Sequence, residues 1–343
     1  MKTKPLYLIL LLLTGLAISC GKPNDAEVLE PDEPETGGYM VVARYTTPAY
    51  AQDVALNDTL LYVAQGEGGL LILDVSDPAN PQQVSITTEN ARGYSLKVAF
   101  RDSAVYLAAG AFGVTAINVA DPYNPFVTVY NLNMKPARDM YLMGDYMFTP
   151  ISEQGVRIAA IDYPIQPDVR GGIETSGYAY GCTSTSDSNY LVVACGEMGI
   201  SVFDISDLQN GLGVYTRVNW CSLPGYAQSV ELSDDDKYAF VACGIEGFCI
   251  IDISDTTDYH IVSNFDYKGY VKSLVYRDGL VYLAAELYGL QIVDVSDVTA
   301  PKLIAQIKSS YALDLDMDDN FIYVADEVEG IIVIAKPGVI VTN

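Results

Sequence analysis

The stretch GLLILDVSDPANP at residues 69–81 combines a glycine, a β-forming run, an acidic Asp-x-Ser-Asp turn and two prolines. Its core returns as GISVFDISD (199–207), GFCIIDISD (247–255) and GLQIVDVSD (289–297), and more loosely as GVTAINVAD (113–121). GVRIAAIDY (155–163) and GIIVIAKPG (330–338) keep the strand but lose the acidic ending. The repeat glycines are Gly69, Gly113, Gly155, Gly199, Gly247, Gly289 and Gly330, at intervals of 44, 42, 44, 48, 42 and 41 residues. A fixed period of this size marks a repeat architecture, whose units bury their apolar faces only against one another.

Each unit holds four strand-like pieces. In the first they are Tyr50 to Leu56, Leu60 to Ala64, Leu70 to Val75 and Gln83 to Thr87, punctuated by Asn, Asp, Gly and Pro. No segment sustains a 3.6-residue apolar period, so helices are expected to be scarce. Four strands in some 40–45 residues is the size of a propeller blade. Seven units predict an all-β, seven-bladed β-propeller over residues 39–343. The last unit offers only three strands, Tyr311 to Met317, Phe321 to Ala325 and Ile331 to Ile334. Tyr39 to Tyr45 is a spare strand ahead of the first unit, and the expectation is that it completes the last blade from outside.

The repeated GLxIxDVSDPxxP pattern, whole in 69–81, resembles the LVIVD repeat of bacterial surface and secreted proteins, over roughly residues 39 to 335. The resemblance implies a propeller scaffold and no single chemistry.

The 343 residues are 50% apolar and 18% charged, enough to bury a large core. Nineteen Lys and Arg stand against 44 Asp and Glu, a net charge of −25, which argues against a nucleic-acid ligand. The leading residues form a targeting segment (1–19): Lys2 and Lys4, an apolar run Leu6 to Leu13 too short to span a bilayer, then Leu16-Ala17-Ile18-Ser19-Cys20. This ending resembles a bacterial lipoprotein lipobox, which implies a lipidated Cys20. Residues 20–38, with three prolines and six acids, read as a disordered acidic tether. The acids resemble the surface-export signals of some Bacteroidetes lipoproteins. The implied address is the outer membrane, on its periplasmic or surface side, with the lipid as the only membrane contact. Oligomeric state is left open.

One face of the propeller collects the loops between the second and third strands and the lead-ins to the first strands. Glu67, Glu153 and Glu197 sit two residues before a repeat glycine, and Glu246, Glu286, Glu327 and Glu329 lie nearby. Such a ring of carboxylates focuses negative potential on a cation, a ligand or a basic partner surface. Tyr50, Tyr94, Tyr178, Tyr226, Tyr270 and Tyr311 recur at the lead-ins, with Pro136 in the third unit, and are read as scaffold packed between blades. Lys97, Arg138 and Lys272 break the pattern beside them and are candidates for an anionic group. The Asp-x-Ser-Asp turns belong to the opposite face and are explained by side chain-to-backbone bonds. His260 is placed in a connection between strands, away from any catalytic role.

Cys182, Cys195, Cys221, Cys243 and Cys249 contain no C-x-x-C, and buried thiols are expected; Cys195 and Cys243 occupy equivalent positions in neighbouring units. No residue is assigned to catalysis. The preferred reading is a non-enzymatic binding module of the cell envelope, with a protein or glycan ligand. The alternatives are a hydrolase or lyase assisted by a metal on the loop carboxylates, with a divalent cation such as calcium, and a structural assembly scaffold.

Overall fold

A computed structural model describes residues 36–88, 93–210, 213, 215–266 and 269–341. The signal segment 1–19, Cys20 and most of the acidic stretch 20–38 lie outside the described residues. Among the described residues there are seven four-stranded antiparallel sheets and one short 3-10 turn at Ser206–Asn210. In the first sheet, strands A to D are Asp53–Asn57, Leu60–Ala64, Leu70–Asp74 and Gln82–Thr87, hydrogen-bonded in that order. The A strands of neighbouring sheets pack on one another around the axis.

Seven blades need seven interfaces, and the apolar core is divided accordingly. Each hydrophobic cluster is shared by two adjacent blades. The B and C strands supply most of it, because both of their faces are covered and read as continuous apolar runs such as Leu70–Leu73, all fully buried.

The repeat glycine has a steric cause. At Gly199, Gly247 and Gly289 the backbone takes φ values of +77°, +78° and +72°, and a Cβ would collide with the carbonyl oxygen that ends the D strand (Cys221, Phe265, Ile307). Only glycine combines this conformation with so close an approach. In the last blade the same collision would join Gly330 to the Tyr45 carbonyl. The strand Met40–Tyr45 there pairs antiparallel with Gly330–Ala335, Tyr45 facing Ile331 and Met40 facing Ala335, and stands where other blades carry strand D. Val42, Ala43 and Tyr45 pack on the cluster between the last and first blades.

Two boundaries differ from the sequence reading. Tyr50 to Gln52 precede the first A strand, which begins at Asp53. Gln52 N still donates to the Ala64 carbonyl of strand B at 2.8 Å, so the lead-in joins the sheet just ahead of the strand. His260 is the first residue of a D strand, opposite Asp252, not part of a connection. It is exposed, with Nδ1 3.3 Å from the Asp258 carbonyl.

The Asp-x-Ser-Asp turns follow the expected chemistry. Asp252 Oδ1 accepts from Ser254 N at 2.9 Å and Oγ at 2.6 Å, and Asp294 does the same with Ser296 at 2.9 and 2.5 Å. Asp255 and Asp297 accept from the backbone N–H and hydroxyl of Thr257 and Thr299. These hydrogen bonds hold all four carboxyls below the usual range. The five cysteines are buried free thiols. Cys243 has Cys249 of its own blade 3.2 Å away, sulfur to sulfur, rather than Cys195 of the neighbour.

Candidate functional site

The face that collects the B–C loops is stitched between blades. Gly66, Gly110, Ser152, Gly196, Gly244 and Glu286 each form an isolated β-bridge to the lead-in of the next blade, at Ser95, Ala137, Ala179, Ala227, Val271 and Ala312. The residue before each partner is the recurring tyrosine, or Pro136. At Gly66, Gly196 and Gly244 the tyrosine ring lies over the loop glycine of the preceding blade: a Cβ would come within 2.9 Å of Tyr94, 2.8 Å of Tyr226 and 3.1 Å of Tyr270. The tyrosines therefore serve the scaffold, yet Tyr50, Tyr94 and Tyr178 keep an exposed edge.

The glutamates lie on this rim, and several are bonded to their own neighbours. Tyr178 Oη donates to Glu153 at 2.7 Å, and Glu329 accepts from Arg44 Nε at 2.5 Å and from the backbone and hydroxyl of Ser310 at 2.9 Å. Burial, reinforced by a hydrogen bond to Glu286, pushes the Tyr311 hydroxyl up to about 12. Glu67 and Glu327 share a shallow pocket with Tyr50 and Tyr94, while Glu246 lies against Gly225. Glu197 sits close enough to the Tyr226 hydroxyl to raise its pKa further. Among the described residues, no group of three or more metal-ligating side chains is close enough to hold an ion. The rim carboxylates of Glu153 and Glu329 are taken up by Tyr178, Arg44 and Ser310 rather than by a shared centre.

The convergence is at the axis. Aligning the seven lead-ins on the tyrosine or Pro136 places Gln52, Leu96, Arg138, Tyr180, Gln228, Lys272 and Leu313 in one ring. The next ring inward is Asp53, Lys97, Asp139, Gly181, Ser229, Ser273 and Asp314. All of these except Asp53 and Gly181 line a recess of about 150 Å³ at the mouth of the axis. The second ring is lopsided, with charges on the side of the last and first three blades and glycine or serine on the other.

Lys97 is the centre of the charged side. Its ammonium is bonded to Asp314 and lies 3.5 Å from Asp53 and 4.0 Å from Asp139. Burial works against that charge, but Asp314, Asp53 and Asp139 together outweigh burial and hold the pKa well above its ordinary value. Asp53 is raised by burial against the opposing pull of Lys97, whereas Asp314 is held down despite burial by Lys97 and by a hydrogen bond from Asp53. Asp53 Oδ2 accepts from Val98 N of the next blade at 2.7 Å. Burial lifts Asp139 to about 6 and, deeper in the channel, Glu231 to about 7.

Arg138 and Lys272 differ from Lys97: among the described residues neither has a carboxylate partner. Arg138 donates Nε to Ser152 Oγ at 2.9 Å, and its guanidinium carbon lies 5.6 Å from the centre of the Tyr180 ring. Tyr180 Oη accepts from Tyr226 Oη at 3.2 Å, which leaves its own proton available. Gln228 donates to Tyr270 Oη at 3.0 Å. The residues missed in sequence are Asp53, Asp139, Asp314 and Glu231, together with the flanking Gln52 and Tyr180. Register was the signal, since Lys97 already marked the ring that three of the acids occupy.

The fold and site identify the class of this protein as a seven-bladed β-propeller. The LVIVD repeat model matches residues 48–88, 224–266 and 268–308, which are the first, fifth and sixth blades. Among solved structures, the WD40 β-propeller domain of Doa1 superposes with a TM-score of 0.69 at 9% identity, covering 88% of this chain and 98% of that one. The computationally designed Ika8 protein superposes with a TM-score of 0.64 at 10% identity, covering 87% and 100%. At such identities the likeness is one of fold. A search of curated proteins returns no match.

Proposed function

We propose that this protein is a non-enzymatic binding module of the cell envelope that engages a partner protein through the B–C loop face. The observation that carries the reading is a run of aliphatic side chains held in solvent on three consecutive blades. Ile245 is 72% exposed, Leu287 69% and Val328 66%. Glu246, Glu286 and Glu329 flank them. A rigid loop platform with apolar tips and an acidic surround suits a partner whose apolar patch is bordered by basic residues. The LVIVD matches agree with a scaffold whose function lies in its loops.

In this reading Cys20 is lipidated and holds the protein at the outer membrane. Replacing Ile245 and Leu287 together by Glu leaves the fold intact and abolishes recovery of the partner from envelope extracts. Undiminished recovery by the double variant defeats the loop-face reading. For the anchor, Cys20→Ala releases the protein from the membrane fraction; a variant still labelled by lipid and still sedimenting with membranes defeats it.

A further inference from the structure

We propose that the axial recess is a binding site for a small organic monocarboxylate, with the carboxylate on Arg138 and Lys272 and the body of the acid against Leu96, Leu313 and Tyr180. This site is separate from the aliphatic loop tips, and neither proposal depends on the other.

Four observations carry it. First, in a chain with 44 acids and 19 bases, Arg138 and Lys272 stand on one ring without a carboxylate partner among the described residues. Rim glutamates on the same face are bonded elsewhere, Glu153 to Tyr178 and Glu329 to Arg44. Second, the recess contains an unused buried donor. Gln52 is 7% exposed, and its Nε2 lies near the Tyr94 hydroxyl without reaching hydrogen-bond geometry to it or to any other described group. A buried amide N–H left unbonded costs roughly 1–3 kcal/mol, which an acceptor in the recess removes. The free proton of Tyr180 Oη adds a further donor on the same ring.

Third, the charge of the recess suits a single negative charge. The lining holds Lys97, Arg138 and Lys272 against Asp139 and Asp314, three positive charges against two negative. Asp53 is not part of the lining: it lies behind Lys97, with its Oδ2 bonded to Val98 N. A monoanion neutralises the excess, whereas a dianion meets the Asp139 and Asp314 carboxylates on the floor. Fourth, the size is limiting. A cavity of about 150 Å³ is of the order that holds a benzene ring. A planar guanidinium pairs with a two-oxygen acceptor, and of the acceptors it fits, a carboxylate carries the single charge that the recess suits.

The test is calorimetric titration of the purified full chain with benzoate, benzamide and inorganic phosphate. Benzoate binds, and benzamide, equal in shape but neutral, binds at least about tenfold more weakly, as does phosphate. Arg138→Gln and Lys272→Gln each weaken benzoate about tenfold or more; Lys272→Gln leaves the melting temperature in place, whereas Arg138→Gln lowers it slightly because it also gives up the bond to Ser152 Oγ and the contact with the Tyr180 ring. A carboxylate in the recess comes from a free acid or from a chain end. A tetrapeptide ending in Phe, compared with its C-terminal amide, separates the two: tighter binding than benzoate assigns the site to a chain end, weaker binding to a free acid. Absence of benzoate binding at 10 mM (roughly the weakest affinity a specific site would show), phosphate binding more tightly than benzoate, or unchanged affinity in both variants overturns the proposal.

Discussion

The C strands and A strands of the seven blades behave oppositely. The C strands are near copies of one another, from GLLILDVSD to GLQIVDVSD, because each meets the same surroundings: a neighbour on either face, a carbonyl against its glycine and a turn at its end. The A strands share a backbone path but face a single axis. At one position they carry Asp53, Lys97, Asp139, Gly181, Ser229, Ser273 and Asp314. Packing between blades is a problem posed seven times and solved once. The axis is a single environment to which each blade contributes a different part, so individuality collects there.

The largest expected effect concerns the shared scaffold. Deleting residues 39–46 removes the strand that fills the D position of the last blade and strips Val42, Ala43 and Tyr45 from the closing core. Thermal unfolding of this variant falls by about 10 °C or more, whereas deleting 21–36 changes it little. Equal melting temperatures for the two deletions break the equivalence drawn between Met40–Tyr45 and the other D strands.

Next comes the axis. Lys97→Met leaves Asp314 and Asp139 buried beside an apolar side chain and costs about 3–5 kcal/mol in denaturant unfolding. Lys237→Met removes an exposed pair with Asp235 and costs less than about 0.5 kcal/mol. Similar costs for the two would mean that the axial charges are no more than surface charges.

A smaller effect is set by pH. Asp139 and Glu231 titrate in the folded chain at about 6 and about 7, against 3.8 and 4.5 for the ordinary carboxyls. Between those limits the folded chain holds protons that the unfolded chain has released. Stability therefore falls as pH rises from about 4 to about 7, by an amount on the order of 1–3 kcal/mol. The turn carboxyls of Asp252 and Asp294 shift the other way, so they lose stability only at the acid end, below the ordinary carboxylate range. Urea unfolding at pH 5 and pH 8 measures the slope, and the double variant Asp139→Asn with Glu231→Gln flattens it. A slope unchanged by the double variant would place its origin in groups other than Asp139 and Glu231.

The smallest effect belongs to the rim. Replacing Glu67, Glu153 and Glu197 by Gln moves stability by less than about 0.5 kcal/mol. It reduces the salt dependence of partner capture, because long-range attraction from exposed charge is what ions screen. Asp77→Asn with Asp297→Asn on the opposite face leaves capture unaltered. The reverse ranking of the two variants puts the partner on the other face.

The sequence by itself determined the architecture. The period of Gly69 to Gly330 set the number of blades, the Asp-Ser turns marked where C strands end, and the thiols were read as buried. These features are legible because they repeat, and a repeat arises when one local packing problem recurs at fixed spacing along the chain. Arg138 and Lys272 were legible as departures from that repeat. Only the tertiary structure decided what each departure does. It showed Lys97 held by carboxylates from three other blades, and it turned the rim glutamates toward tyrosines and Arg44 instead of toward one another. It also brought Gln52, Arg138, Tyr180 and Lys272 around one recess. Ring closure sets residues 52 and 313 side by side, with 272 on the wall of the same cavity, and no spacing along the chain encodes that neighbourhood.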